Sequence, residues 1–320
     1  MRIRPFDNSE SEYAAITAVQ NAAHPDQLLS AAGLQHTDQQ RSAFFFFERY
    51  VAIVDEQIVA HGEIGHTEWS YRPNKYRITW DCHPDWCNSA EIPFLDNLYQ
   101  RLLERTPSRI QVYIREDNLH SIRHLKQLGF ELGMRDIYSE LPVASFDVTA
   151  HAGLTAKLAA SGVRILTLGE LCSQPTKEWM PKLKEAAWDM LQDMPHDEPF
   201  TKSTVEEWWK ETSVPDQPHD AYFIAVTDAG DYVGISNLKT GVGKIVQTGF
   251  TGVKRGWRRK GIATALKMRA VAFAHDYGAT TIQTDNEESN PMYQLNVRLG
   301  FEPRTTWCNY IKTFPQDKGA

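Results

Sequence analysis

The chain has 320 residues, 42% hydrophobic and 23% charged, the make-up of a globular protein long enough for two ordinary domains. Its net charge of −7 argues against a nucleic-acid binder, since phosphate backbones select basic surfaces, and leaves amine-bearing small substrates open. No apolar run approaches the roughly 20 residues of a membrane span. Met1-Arg2-Ile3-Arg4 runs straight into charged residues without a signal core, so the expectation is a cytoplasmic protein with no membrane partner.

In the N-terminal half the pattern predicts a strand at Ile3–Pro5, a helix at Glu10–Ala23 and a second helix after it. Strands follow at Tyr50–Asp55, Gln57–Gly65 and Arg77–Cys82, then a helix over Ala90–Leu103 and a strand over Arg109–Arg115. A last helix ends at Leu128-Gly129-Phe130. Phe44–Phe47 reads as a buried helix end or core strand, and His61 and His66 as structural histidines. Cys82, Cys87, Cys172 and Cys308 form no CxxC pair, so they read as free thiols, and no metal is expected.

Pro142–Ser161 is rich in small residues and is the expected linker. The expected division is one domain over 1–145, a linker over 146–160 and a second domain over 161–320. The second half repeats the plan: a strand at Val163–Leu168, helices near Lys177–Leu191 and Val205–Trp209, and strands at Ala221–Thr227, Tyr232–Leu238 and Lys244–Val253. Trp188, Trp208 and Trp209 are read as helix core. The next helix places Ile262, Ala265, Leu266, Ala270 and Phe273 on one face and stops at Gly278. A strand at Thr280–Thr284, a helix from Asn290 to Leu299-Gly300-Phe301 and a strand at Thr305–Phe314 complete it. The two Leu-Gly-Phe endings stand 171 residues apart, which marks duplication of a domain-sized unit.

Val253 to Ala263 carries the most specific chemistry. A strand ends, Arg258, Arg259 and Lys260 supply charge, Gly261 permits close backbone approach, and small Ala263 sits in the first helical turn. Free N–H groups and the positive end of a helix dipole together form a phosphate cradle. After it come a helix, a strand and Thr284-Asp285-Asn286, Asn290, Met292, Asn296 and Leu299-Gly300-Phe301, with the cradle's Arg258 lying 42 residues before Gly300.

Together these resemble the GNAT superfamily of acyl-CoA N-acyltransferases. Arg258–Ala263 resembles its pyrophosphate motif Q/R-x-x-G-x-G/A, and the ending resembles its T-x-N…N…M…N-x-x-L-G-F variant, with Asn290 one residue nearer Met292 than that pattern has it. The whole chain is similar to tandem GNAT proteins, the two-domain arrangement that mycothiol synthase also has, without that enzyme's substrate being implied. The resemblance implies an α/β (α+β) fold of two GNAT-like domains, each a mixed, mostly antiparallel sheet with flanking helices and splayed central strands. It further implies acetyl-CoA as co-substrate, a small-molecule amine as acceptor, and direct attack in a ternary complex, the protein being a monomer or homodimer. The backbone of Thr251, Gly252 and Val253 would hold pantetheine, and the Val253 N–H would polarise the thioester. Arg258, Arg259, Lys260, Gly261, Ile262, Ala263 and Thr264 would hold the pyrophosphate, and Asn290 would bond the CoA arm.

The position where many relatives place a tyrosine acid is Asn296, which cannot give up a proton near neutral pH. Tyr293, one turn earlier, is the candidate acid. The strand before the cradle carries no carboxylate, so the candidate bases are Asp197 with its loop neighbours Asp193, His196 and Glu198, or Asp285 and Glu287. In the N-terminal half the aligned loop is Cys87-Asn88-Ser89-Ala90-Glu91-Ile92, where the arginine, the glycine and the small alanine have all gone, so that domain is expected to be a non-catalytic copy. Two alternatives stand beside the acetyltransferase: an acetyl-CoA sensor or scaffold without turnover, and an acyltransferase using another acyl-CoA or an O-acceptor.

Overall fold

The computed structural model describes residues 1–151 and 153–315, which fall into two compact units: 1–135 with 306–315, and Asp136–Thr305. The expected linker, 146–160, falls within the second unit and carries one short 3₁₀ turn and a helix.

The chain opens with β1 (Arg2–Pro5), α1 (Glu10–Ala23) and α2 (Ala31–Gln40). Serines cap both helices: Ser9 accepts from Glu12 N–H and Ser30 from Gly33 N–H. Then come β2 (Phe47–Val54), β3 (Gln57–Gly65), β4 (Lys75–Cys82), α3 (Ile92–Leu103), β5 (Arg109–Arg115) and α4 (Leu119–Gln127). On α3, Phe94, Leu95, Leu98, Tyr99 and Leu102 are buried at three- and four-residue steps, an apolar stripe laid on the sheet. Next are β6 (Glu131–Pro142), α5 (Leu154–Ala160), β7 (Val163–Thr167), α6 (Leu168–Cys172), α7 (Trp179–Leu191) and α8 (Val205–Thr212). β8 (Tyr222–Thr227), β9 (Tyr232–Thr240), β10 (Ile245–Val253), α9 (Ile262–Tyr277), β11 (Thr281–Glu287), α10 (Pro291–Arg298) and β12 (Glu302–Thr313) complete the chain.

Each unit repeats one strand order. In the first, β1, β2, β3 and β4 pair antiparallel, β4 and β5 pair parallel, and β12 pairs antiparallel with β5. In the second, β7, β8, β9 and β10 pair antiparallel, β10 and β11 parallel, and β6 antiparallel with β11. Each sheet thus takes its sixth strand from the other half of the chain. Sequence reading found the final strand but neither β6 nor this exchange.

Both Leu-Gly-Phe endings are helix stops of one geometry. Phe130 N–H bonds to Leu125 O and Gly129 N–H to Lys126 O, while Phe301 N–H bonds to Asn296 O and Gly300 N–H to Val297 O. The glycines take φ of +83° and +92°, as the Schellman motif requires. The phenylalanine run departs from expectation: Phe44 is 69% exposed, and Phe45 to Phe47 are half-buried against Tyr71, Tyr76 and Arg41. Turn residues before β2 hold Phe44 off the core, since residues 43–45 form a turn and the strand begins only at Phe47.

Candidate active site

β10 and β11 pair parallel only from Ile245–Thr281 to Gln247–Gln283. Beyond Gln247 the strands part, and β10 shifts register against β9 between Thr248 and Thr251. A bulge bends the strand that carries it, which opens the gap. Lys254 N–H donates to Val233 O on β9, so the alternation of peptide groups turns the N–H groups of Thr251 and Val253 away from β9 toward that gap.

The cradle follows. Arg259 takes φ +61° and Gly261 φ +86°, so the chain coils tightly before α9. No side chain caps α9, and its first internal bond runs from Ala265 N–H to Gly261 O. The amides of Ile262, Ala263 and Thr264 therefore lack helical partners and sit at the positive end of a 16-residue helix. The left-handed conformation favours glycine here, and a Cβ on Gly261 would in addition have to displace Leu154 Cδ1 on α5, 2.8 Å away.

The cations divide their work. Arg258 donates from Nε to the Val253 carbonyl at 2.9 Å and from Nη2 to Asp193, and Arg255 also bonds Asp193. Arg258 thus braces the loop against the strand. Lys260 lies over the Trp257 ring at 4.3 Å, and Arg259 is exposed. Asp193 is the carboxylate on which the loop is pinned. Its hydrogen bond to Arg255, with the charges of Arg258 and Arg255, holds it below the usual carboxylate range. A base needs a free, readily protonated carboxylate, and this one is committed to two guanidiniums.

Gly252 is buried, and a Cβ there would meet the Phe250 ring at 2.6 Å and Met190 Cβ at 2.9 Å. The space a carboxylate would need at this strand position is filled by α7. The Thr251 hydroxyl bonds Ser236 at 2.9 Å. Asn290 caps α10, its Oδ1 accepting from Met292 N–H, so that oxygen is used inside the protein. Asn296 is fully buried. Its Nδ2 donates to Asn286 Oδ1 at 2.7 Å, while its own Oδ1 has no partner. Tyr293 is half-buried, on the same helix. Asp197 is half-buried in the loop after α7, where the His196 and Phe200 rings meet edge to face at 4.6 Å. Glu287 accepts from Ser289, and Asp285 is exposed on β11.

One residue in this region escaped sequence reading. Lys267 lies on the buried face of α9, 2% exposed, three and four residues before Ala270 and Val271. Its Nζ donates to Thr248 Oγ1 at 3.3 Å and stands 5.5 Å from the Phe301 ring centroid. Desolvation pushes its amine down to about 7, against which the charge of Asp285 acts. The signal was present: a lysine inside the apolar stripe of a helix.

The matching region of the first unit is built otherwise. β4 and β5 also part, after Ile78–Val112. Cys87–Glu91 forms a π-helical turn that runs directly into α3, in place of a coil and a free helix start. Glu91, 4% exposed, accepts from Trp80 Nε1 at 3.1 Å and Asn118 Nδ2 at 2.7 Å. Beside it His24 Nε2 bonds Asp81 at 2.7 Å, and His61 Nε2 stands 3.4 Å from Asp81. Among the described residues no group of three or more His, Cys, Asp or Glu is placed to hold a metal ion, and no helix is long and apolar enough to cross a membrane.

The second unit thus presents a sheet parted between two parallel strands beside an uncapped helix start. Residues 180–301 match the model of the acetyltransferase (GNAT) family. A GCN5-related N-acetyltransferase from Sphaerobacter thermophilus superposes with TM-score 0.71 at 16% identity, over 98% of this chain and 95% of that one. A tandem GNAT protein from the clavulanic acid biosynthesis pathway gives 0.72 at 14% identity, over 99% of each chain. No curated protein matches the sequence. The chain has the fold of a tandem GNAT protein, and its match to the GNAT family model lies in the second half.

Proposed function

We propose that this protein is an N-acetyltransferase that moves an acetyl group from acetyl-CoA to the amine of a small molecule, by direct attack in a ternary complex. The observation that carries the reading is the cradle: partnerless amides at Ile262–Thr264, a left-handed Gly261, and the parted β10 and β11 beside them. Pyrophosphate would sit on the amides and pantetheine along the β10 edge, bonded by Thr251 and Val253, with Asn296 Oδ1 as a buried acceptor for an arm N–H. A buried amine at Lys267 disfavours a long apolar acyl chain, which supports a short one. Asp197 is the proposed base, and the acidity of its loop suits an amine acceptor. All of these residues come from the second half of the chain. In the first, the π-turn and buried Glu91 leave no free helix start, which supports a non-catalytic copy.

The test is turnover. Purified protein with acetyl-CoA and a broad panel of small amines should release free CoA with at least one of them. Binding of acetyl-CoA without release across the panel would favour a sensor, and release with other acyl-CoAs alone would displace acetyl as the donor group. Gly261→Asp should abolish CoA binding, and retained binding would sink the cradle.

A further inference from the structure

With Asn296 unable to act as an acid, the departing thiolate has only Tyr293 as a proton source on α10. A better placed group comes from beneath the gap. Three elements around the parted strands converge on one nitrogen. α9 supplies Lys267, β10 supplies Thr248 as its hydrogen-bond partner, and Phe301, just past α10, supplies a ring face 5.5 Å away. Thr248 is the first β10 residue beyond the last parallel pair, so Lys267 Nζ stands where the gap begins. The Schellman turn ties Phe301 N–H to Asn296 O, so the ring that faces the nitrogen follows directly from the end of α10. Among the described residues Lys267 makes no ion pair, and Asp285 on β11 is the charged side chain whose field reaches it. An ammonium almost fully buried with one neutral partner is costly, and it is retained here beside the point where β10 and β11 part.

We infer that Lys267 is the catalytic acid that protonates the sulfur of the departing coenzyme A. The inference rests on the acetyl-CoA reading above. The acceptor nitrogen bonds to the thioester carbonyl carbon, and the C–S bond breaks with its electron pair on sulfur. A Lys267 N–H proton passes to that sulfur and leaves its electron pair on the lysine nitrogen. The acceptor nitrogen's surplus proton passes to Asp197, the base proposed above, and from there to solvent, and Lys267 regains one from solvent once products leave. An amine pushed down to about 7 is matched to this work near neutral pH.

The proton can be read without turnover. Coenzyme A bound to the full chain is titrated by the ultraviolet absorbance of its thiolate, in wild type, Lys267→Met and Lys267→Arg. A cation against sulfur lowers the thiol pKa by about one unit or more, so Lys267→Met should raise the bound thiol by at least that, while Lys267→Arg keeps it low. In turnover, Lys267→Met should lower kcat by about 100-fold with little change in KM for acetyl-CoA, and Lys267→Arg should not restore kcat, because a guanidinium holds its proton. Wild-type kcat should fall as pH rises through the lysine's titration, and that limb should be absent in Lys267→Arg. A bound thiol that titrates alike in wild type and Lys267→Met overturns this inference alone. Full rescue of kcat by arginine overturns the proton transfer. An acetyl adduct on Lys267 after incubation with acetyl-CoA alone overturns it in favour of a covalent route. Failure of wild type to bind coenzyme A overturns the acetyltransferase reading and this inference together.

Discussion

Replacing Lys267 by methionine should stabilise the fold, and by an amount that depends on pH. The amine falls from an ordinary 10.5 to about 7 on folding, because 2% exposure leaves the charged form poorly solvated. At about 1.4 kcal/mol for each tenfold change, that is a penalty on the order of 5 kcal/mol. The sign follows from the protons bound. Between about pH 7 and pH 10 the unfolded chain holds a proton that the folded chain has lost, so wild-type stability rises with pH through that window. Below about pH 7 the whole penalty is present. Methionine is unbranched and of similar length, so it fills the same channel without the charge. Urea unfolding of both chains near pH 6, pH 8 and pH 9.5 should therefore show the variant more stable by up to about 5 kcal/mol at the lowest pH. Its advantage should shrink by about 1.4 kcal/mol per pH unit above neutrality. A difference that stays constant with pH, or a wild type more stable near pH 6, would refute the claim that an ionised amine is being buried.

Three further outcomes follow from the site. Asp193→Asn removes the carboxylate that holds Arg255 and Arg258, and calorimetry with coenzyme A should show affinity falling about 5- to 10-fold, a modest loss because both arginines are partly exposed. The same carboxylate is held below its ordinary range, so its contribution to stability persists above that range and is lost only as pH falls through the lowered value. Gly261→Ala should cost about 1–2 kcal/mol in thermal unfolding through its φ of +86°, and adding Leu154→Ala should recover only the part due to the 2.8 Å contact; full recovery would mean the backbone was not strained. Glu91→Gln should cost about 1–3 kcal/mol by weakening its bonds to Trp80 and Asn118, and equilibrium dialysis should still show one coenzyme A per chain.

Local patterns determined much of this protein. Apolar periodicity placed the helices, alternating runs placed most strands, and Gly129 and Gly300 marked two helix stops, because each of these signals acts within a turn or two of the chain. The cradle was legible for the same reason: Gly261 and the residues after it are contiguous, and a helix start needs no distant partner to expose its amides.

Tertiary structure decided what depends on distant partners. Which sheet receives β6 and β12 is settled by pairing between residues far apart in the chain, 143 from Gln283 to Glu140 and 198 from Tyr310 to Val112, and no local signal encodes it. Asp193 read as a possible base until two arginines more than 60 residues away took both its oxygens. The sequence shows no carboxylate on β10, and only the packing of Phe250 and Met190 around Gly252 shows why none fits at that position. Lys267 changed most. In sequence it is one lysine in an apolar stripe, and burial against Thr248 and Phe301 turns it into a poorly solvated amine at the start of the gap. Charge and spacing are written along the chain, whereas the solvation that sets a proton's affinity exists only once the walls around it are in place.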